Sequence, residues 1–318
     1  MTRRRDYITS KSKGIFLILI SSLVLLCAGT VDGKSRPLRK YPSPRTLRSM
    51  ARVYMAYGEY AKAQPLAEQA LTLAKREHTS DYELAMCLID LATLYKNQGK
   101  LLDAEKSCKL GLEFQGKVLY KKHPHLAYTL RTLSSIYQQQ GKYREAEAAL
   151  DNAMTIMHDS HSPDDKAMAP FMVDIARLHV AQGDLEKAER YYQKAMLLIN
   201  SSYGPDHLYT ANVLASMAKL FTLQGKYAEA EELINRAVAV QEKIYGPDHH
   251  LIAPSWLTKA KICQVKGEYA QAEKLINRAL VAIEKSGNAA AFAKLQQTAE
   301  EIRASRQAAY KPVAKATK

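Results

Sequence analysis

Six glycine-centred blocks recur along this chain in one register, and a register kept that long leaves few folds open. Gly58, Gly99, Gly141, Gly183, Gly225 and Gly267 follow one another at intervals of 41, 42, 42, 42 and 42 residues. Five residues past each stands an alanine: Ala63, Ala104, Ala146, Ala188, Ala230 and Ala272. Twelve past each come Ala70, Gly111, Ala153, Ala195, Ala237 and Ala279. A fixed period of this length is the sequence mark of a repeat architecture. Ahead of each glycine, Leu47, Leu88, Leu130, Met172, Leu214 and Trp256 share one phase, and Tyr54, Tyr95, Tyr137, His179, Phe221 and Cys263 follow seven residues later. That spacing returns to one face of an α-helix. The glycine therefore separates two helical patterns, at a tight turn that favours positive φ. The small residues mark where the paired helices approach too closely for larger side chains. Such a hairpin has an apolar face it cannot cover alone, so neighbouring hairpins must stack into a solenoid.

The connectors repeat as well. His123-Pro124-His125, Ser162-Pro163-Asp164, Gly204-Pro205-Asp206-His207 and Gly246-Pro247-Asp248-His249 each end a second helix and lead into the next first helix. Proline is tolerated in a helix's first turn but not in its interior, and aspartate there complements the positive end of the helix dipole.

Gly-Lys-Tyr-x-x-Ala at Gly141 and Gly225, with Gly-Pro-Asp-His between long helices, resembles the 42-residue type of tetratricopeptide repeat found in kinesin light chains and in many bacterial proteins. The resemblance covers about residues 45–286 and is specific to the module; no kinesin-type heptad coiled coil accompanies it. It implies an all-α, right-handed superhelical solenoid of six helix hairpins plus a C-terminal capping helix, in a bacterial exported member of the group. The units run at about 45–78, 79–120, 121–162, 163–204, 205–246 and 247–286, the Ala-rich capping helix at 289–309, and a basic tail at 310–318. The first unit lacks the Pro-Asp-His lead-in, as suits a terminal cap.

The resemblance also implies that the first helix of each hairpin lines the concave face, through positions thirteen, ten, six and three before the turn glycine. Of those 24 positions none is acidic and eight are Arg or Lys, in a chain with 46 basic and 32 acidic residues. Arg45, Arg48, Arg52, Lys96, Arg131, Arg177, Asn212, Lys219 and Lys261 form the candidate peptide groove. A basic groove suits an extended acidic peptide or a terminal carboxylate. Two bland readings stay open. The long basic side chains can simply solvate the face, or the solenoid can be a structural tether or self-associating element of an envelope assembly without a dedicated groove.

Net charge is +14, which fits acidic partners in general. Nucleic acid is disfavoured as a partner, since nothing beyond bulk charge points to it. Residues 1–30 have a basic head, the apolar run Gly14 to Cys27, and then Ala28-Gly29-Thr30, in the order of a secretory signal. The run is shorter than the roughly 20 residues a spanning helix needs. Cleavage near residues 28–30, retention as an anchor with membrane association through residues 15–28, and acylation at Cys27 all remain open; residues 31–44 read as a flexible linker. The expected location is periplasmic, secreted or membrane-anchored.

No HExxH, GxSxG, GxGxxG or phosphate-binding loop occurs, and the four cysteines make no CxxC. The histidines follow the connectors rather than a ligand spacing, and Cys87 and Cys108 fall on inward helical faces. The expected protein is therefore a non-catalytic scaffold for protein–protein interaction, with no cofactor and no metal.

Overall fold

The computed structural model describes residues 42–160, 165–284, 286 and 288–310. The leader, the membrane association expected of residues 15–28, the Ser162-Pro163-Asp164 connector, most of the linker and the tail from residue 311 lie outside the described residues. The chain divides into two units before Pro44, and the second holds the regular structure among the described residues.

Within it, six hairpins follow in order: α1 (Pro44–Ala56) with α2 (Tyr60–Arg76), α3 (Asp81–Asn97) with α4 (Leu101–Val118), and α5 (Pro124–Gln139) with α6 (Tyr143–Ser160). Then come α7 (Ala169–Gln182) with α8 (Leu185–Tyr203), α9 (Leu208–Leu223) with α10 (Tyr227–Tyr245), and α11 (Ala253–Val265) with α12 (Tyr269–Glu284). The capping helix α13 (Ala289–Ala309) ends the series. Pro44, which composition places in the linker, opens α1 instead. A proline lacks only an N–H that a helix start would leave unused.

The hairpin turns take the form their glycines require. At the six turns the glycine φ lies between 68° and 85°. The residue after each glycine donates its N–H back to the carbonyl five residues earlier, as in Lys100 to Tyr95, Lys142 to Tyr137 and Lys226 to Phe221, each at 2.9 Å. These bonds satisfy carbonyls that the helix end would otherwise orphan. The three lysines also lie over the rings they bond behind, with Nζ 5.8, 5.6 and 5.0 Å from the ring centres.

The connectors differ from the sequence expectation. Pro124 does sit at the start of α5, but Pro205 and Pro247 lie in turns ahead of the next helix. The cap is the histidine: Nδ1 of His123, His207 and His249 accepts the backbone N–H two residues on, at 3.2, 3.1 and 3.3 Å. Each ring is held by a tyrosine of the preceding segment, Tyr120, Tyr203 and Tyr245, at 5.1, 4.7 and 4.9 Å between ring centres. Histidine here does the work usually done by Ser, Asp or Asn.

Packing follows the small-residue register. All six alanines five past the turn glycines are fully buried, as are the five alanines twelve past them. Their lack of bulk lets the helices of a hairpin close on one another. A polar clasp joins each unit to the next. Lys142 and Gln140 donate to Glu105, Lys226 and Gln224 to Glu189, and Lys266 to Glu231. The acceptor always stands six past a turn glycine, and the donors flank the next one. Hydrogen bonds from Lys109 and Lys142 hold the Glu105 carboxyl down at about 2.

Consecutive first helices touch at every step, α1 to α3 through α9 to α11, whereas consecutive second helices make no comparable contact among the described residues. The hairpins therefore splay on the side of the second helices, and the first helices form the inner face. The curvature brings distant units together. Asn288, which caps α13, donates to the carbonyl of Asn97 at 3.1 Å, across 191 residues. The Tyr57-Gly58 turn meets the connector into the sixth unit, with the Tyr57 ring 6.5 Å from that of His249. Gly58 is buried while the other five turn glycines are exposed. A Cβ on Gly58 would fall 1.8 Å from His250 Nε2, yet a Cβ on Gly141 would meet nothing. Burial lowers the pKa of His250 below its ordinary value, with Glu59 opposing.

This seam gives a direct prediction. Gly141→Ala should lose about 1–2 kcal/mol from the left-handed backbone alone. Gly58→Ala should lose that and about 1 kcal/mol more, because the His250 ring must swing out of the seam. Urea midpoints of the two variants measure this. Equal losses would mean that the seam is not closed in solution.

Candidate functional site

The nine candidate groove residues separate into locked and unlocked groups. Arg48 is buried, with Nε 2.8 Å from Asp90 Oδ2 and Nη1 2.8 Å from Glu83 Oε1. Burial works against its charge, but Asp90 and Glu83 outweigh that and hold the guanidinium pKa above its usual value. Arg52 Nε lies 2.8 Å from the second oxygen of Asp90. Two units on, the pattern returns: Arg131 Nε is 2.5 Å from Asp174 Oδ2, and Arg177 Nη1 is 3.1 Å from Oδ1 of the same carboxylate. Arg177 also reaches Ser216 Oγ at 3.4 Å. Asp90 and Asp174 each stand nine residues before a turn glycine, one position away from the groove register. That offset hid them from a reading confined to the groove positions. The signal that could have found them is an acid at the same phase of the second and fourth units, opposite an arginine one unit earlier.

Asn212 is also engaged, its Oδ1 accepting from Gln241 Nε2 at 2.9 Å. Arg45 is exposed at the start of α1. Lys96, Lys219 and Lys261 have no ion pair among the described residues. Lys219 is open to solvent, yet the surrounding protein, then Lys294, Lys261 and Arg177, push its ammonium below the ordinary lysine value. Half-buried Lys96 is lowered by desolvation and by Arg131 and Arg177, with Asp174 opposing.

The inner face of the first three units carries a cavity of about 780 Å³. Met55, Met86, Ile89 and Tyr128 supply its apolar lining, with Thr93, Asn97 and Gln115 as polar points. Gln115 is buried and its Oε1 has no hydrogen-bond partner. Tyr82 crosses from α3 to α5, its hydroxyl 2.8 Å from His125 Nδ1.

The geometry offers little for catalysis. Burial pushes the Cys87 and Cys108 thiols up to about 12 and that of Cys263 to about 11, so they are poor nucleophiles. Among the described residues no group of three or more His, Cys, Asp and Glu could hold a metal ion, and no helix is long and apolar enough to cross a membrane.

Kinesin-light-chain-type repeats of Podosopora anserina match at 21% identity and a TM-score of 0.49, over 64% of this chain and 98% of theirs. BtubC (BKLC) from P. vanneervenii matches at 18% identity and TM-score 0.52, covering 87% of this chain and 97% of that one. NprR in complex with its cognate peptide NprX matches at 13% identity and TM-score 0.62, covering 96% and 82%. A search of curated protein sequences found no match. The family model for the tetratricopeptide repeat matches residues 43–115, 91–159, 167–243 and 217–285, and the chain accordingly belongs to the tetratricopeptide repeat family.

Proposed function

We propose that this chain is an exported, bacterial-type scaffold that seats an extended polypeptide segment along its inner face. The observation that carries the reading is the cavity at units one to three, where apolar side chains lie beside the buried Gln115 Oε1, which lacks a hydrogen-bond partner. Apolar pockets with a few fixed polar points are how proteins hold one segment in one register. NprR, which shares the fold, was solved with a peptide bound, and that gives the reading a precedent. The unpaired lysines favour an acidic segment. Export rests on the basic head, apolar run and small residues of the first thirty positions.

Met86→Arg with Thr93→Arg would fill the cavity with bulk and charge at half-buried positions. A displayed random-peptide library should enrich a common sequence on the full-length chain and lose it on this double variant. Equal enrichment on both would move the interface off the inner face. N-terminal sequencing of the protein recovered from cells tests export: a start near residue 30 supports it, and an intact Met1 in the cytoplasmic fraction overturns it.

A further inference from the structure

The seam between the first and sixth units is built on two adjacent histidines. His250 opens the single turn His250–Ile252 ahead of α11, and its Nε2 is buried against Gly58 with no hydrogen-bond partner. The His249 ring stacks on it at 4.4 Å between centres and meets Tyr57 of the first unit at 6.5 Å. Nδ1 of His249 accepts the Leu251 N–H at 3.3 Å, so that nitrogen carries no proton. Tyr245 of α10 stacks on His249 at 4.9 Å. Charged groups around the pair are already engaged: Glu59 with Lys62 at 2.5 Å, and Arg278 of α12 with Glu242 of α10 and with Asp248. The second seam contact is the bond from Asn288 to the Asn97 carbonyl. Both contacts border the inner-face cavity, since Ala56, next to Tyr57, and Asn97 itself are among the residues that line it.

We propose that His249 and His250 form a proton-operated latch between the first and sixth units, which holds the solenoid closed beside the inner-face cavity at neutral pH and releases it in mild acid. The latch stands on its own contacts; only its consequence for a bound segment rests on the inner-face reading above. Closure takes the His250 ring out of water, which disfavours its charged form. Burial accordingly lowers its pKa below the ordinary 6.5, with Glu59 opposing. An open seam returns the ring to solvent and to the ordinary value. The closed form therefore has its full advantage above 6.5 and loses it as pH falls through the lower value of the closed state. Protonation also removes the acceptor by which His249 caps the next turn, and two charged rings stacked this closely repel. The clasps between neighbouring units are not sensitive in this range: the Glu105 carboxyl titrates at about 2 and stays charged. The seam can part while the stack of hairpins persists.

The test compares the full-length chain at about pH 7.5 and about pH 5.5, on either side of the histidine range, by small-angle scattering and amide hydrogen exchange without any ligand. In acid, wild type should expand, and the amides of residues 55–59 should exchange roughly tenfold faster relative to those of 138–142, the equivalent turn outside the seam. That internal reference cancels the direct effect of pH on exchange. His249→Asn with His250→Gln, which puts amides in place of titrating rings, should show neither change. Acid opening that persists in the folded double variant would overturn the proposal, because the sensor would lie elsewhere. A second readout does not depend on that variant: by NMR the His250 pKa should lie below 6.5 in wild type and return toward it in Gly58→Ala, whose Cβ displaces the ring. The same pKa in both proteins would break the link between proton and seam and overturn the latch. A seam that responds to acid in a chain that captures no library peptide would sink the inner-face reading and leave the latch standing.

Discussion

Replacing Asp90 with alanine should destabilise the N-terminal half of the solenoid by about 3 kcal/mol, near the lower end of what breaking a buried ion pair costs. Asp90 is only 5% exposed and receives both Arg48 and Arg52 at 2.8 Å. Without it, the nearly buried Arg48 keeps Glu83 alone, and Arg52 is exposed enough to turn to solvent. The loss should be local, because a repeat array is held mainly by contacts between neighbours. Hydrogen exchange should accelerate first in α1 and α3, with α9 to α12 little affected. The companion variant is Arg48→Met with Asp90→Leu, which removes both buried charges and should recover most of the stability. Urea titration of the three proteins measures this. A single variant as stable as wild type would show the pair to be solvated, and a double variant as unstable as the single would show that shape, not charge, carries the loss.

Trp256→Ala should have the largest effect in the C-terminal half, about 3–5 kcal/mol, as for other buried aromatic residues truncated to alanine. The indole is fully buried, in a cluster that runs from Ala237 on α10 through Ile276 on α12 to Leu295 and Ile302 on α13. The Arg278 guanidinium lies over it, 4.4 Å from the ring. Arg278 is also tied to Glu242 and Asp248, so the cavity would loosen the connector into the sixth unit as well as the core. Unfolding should become visibly biphasic, with α11 to α13 lost first. Since this is the chain's only tryptophan, its fluorescence in the wild-type protein reports on the sixth unit and should follow the later part of a global melt. Trp256→Phe should retain most of the stability. A single transition in Trp256→Ala, shifted as a whole, would mean that the array unfolds as one cooperative block.

The two predictions differ in how visible they were beforehand. Trp256 stands in phase with Leu47, Leu88 and Leu214, so its place in the core follows from period alone. Asp90 and Asp174 looked like ordinary polar positions one step off the groove, and only stacked units reveal the arginines facing them. The glutamates six past the turn glycines recur openly in five of the six units, yet their role as clasps depends on donors one repeat away. The histidine caps are partly legible: the repeated connectors mark the helix starts, but proline and aspartate are the usual first-turn residues, and only the folded chain shows Nδ1 of His207 and His249 accepting the backbone N–H two residues on.

Period and residue size determined the local structure and the core. A glycine every 42 residues sets the hairpin turns, and alanines at fixed distances from it set how closely the helices approach. These relations act within a unit or between adjacent ones, so one chain read in register contains them. The fate of the charges was decided only by tertiary structure. Whether an arginine is free or locked depends on how neighbouring units stack, which places Asp90 against Arg48 and Arg52. The curvature of the array is the sum of many small rotations between packed helices, and it brings Asn97 to Asn288 across 191 residues. No spacing in the sequence encodes such a meeting, because it depends on every interface in between.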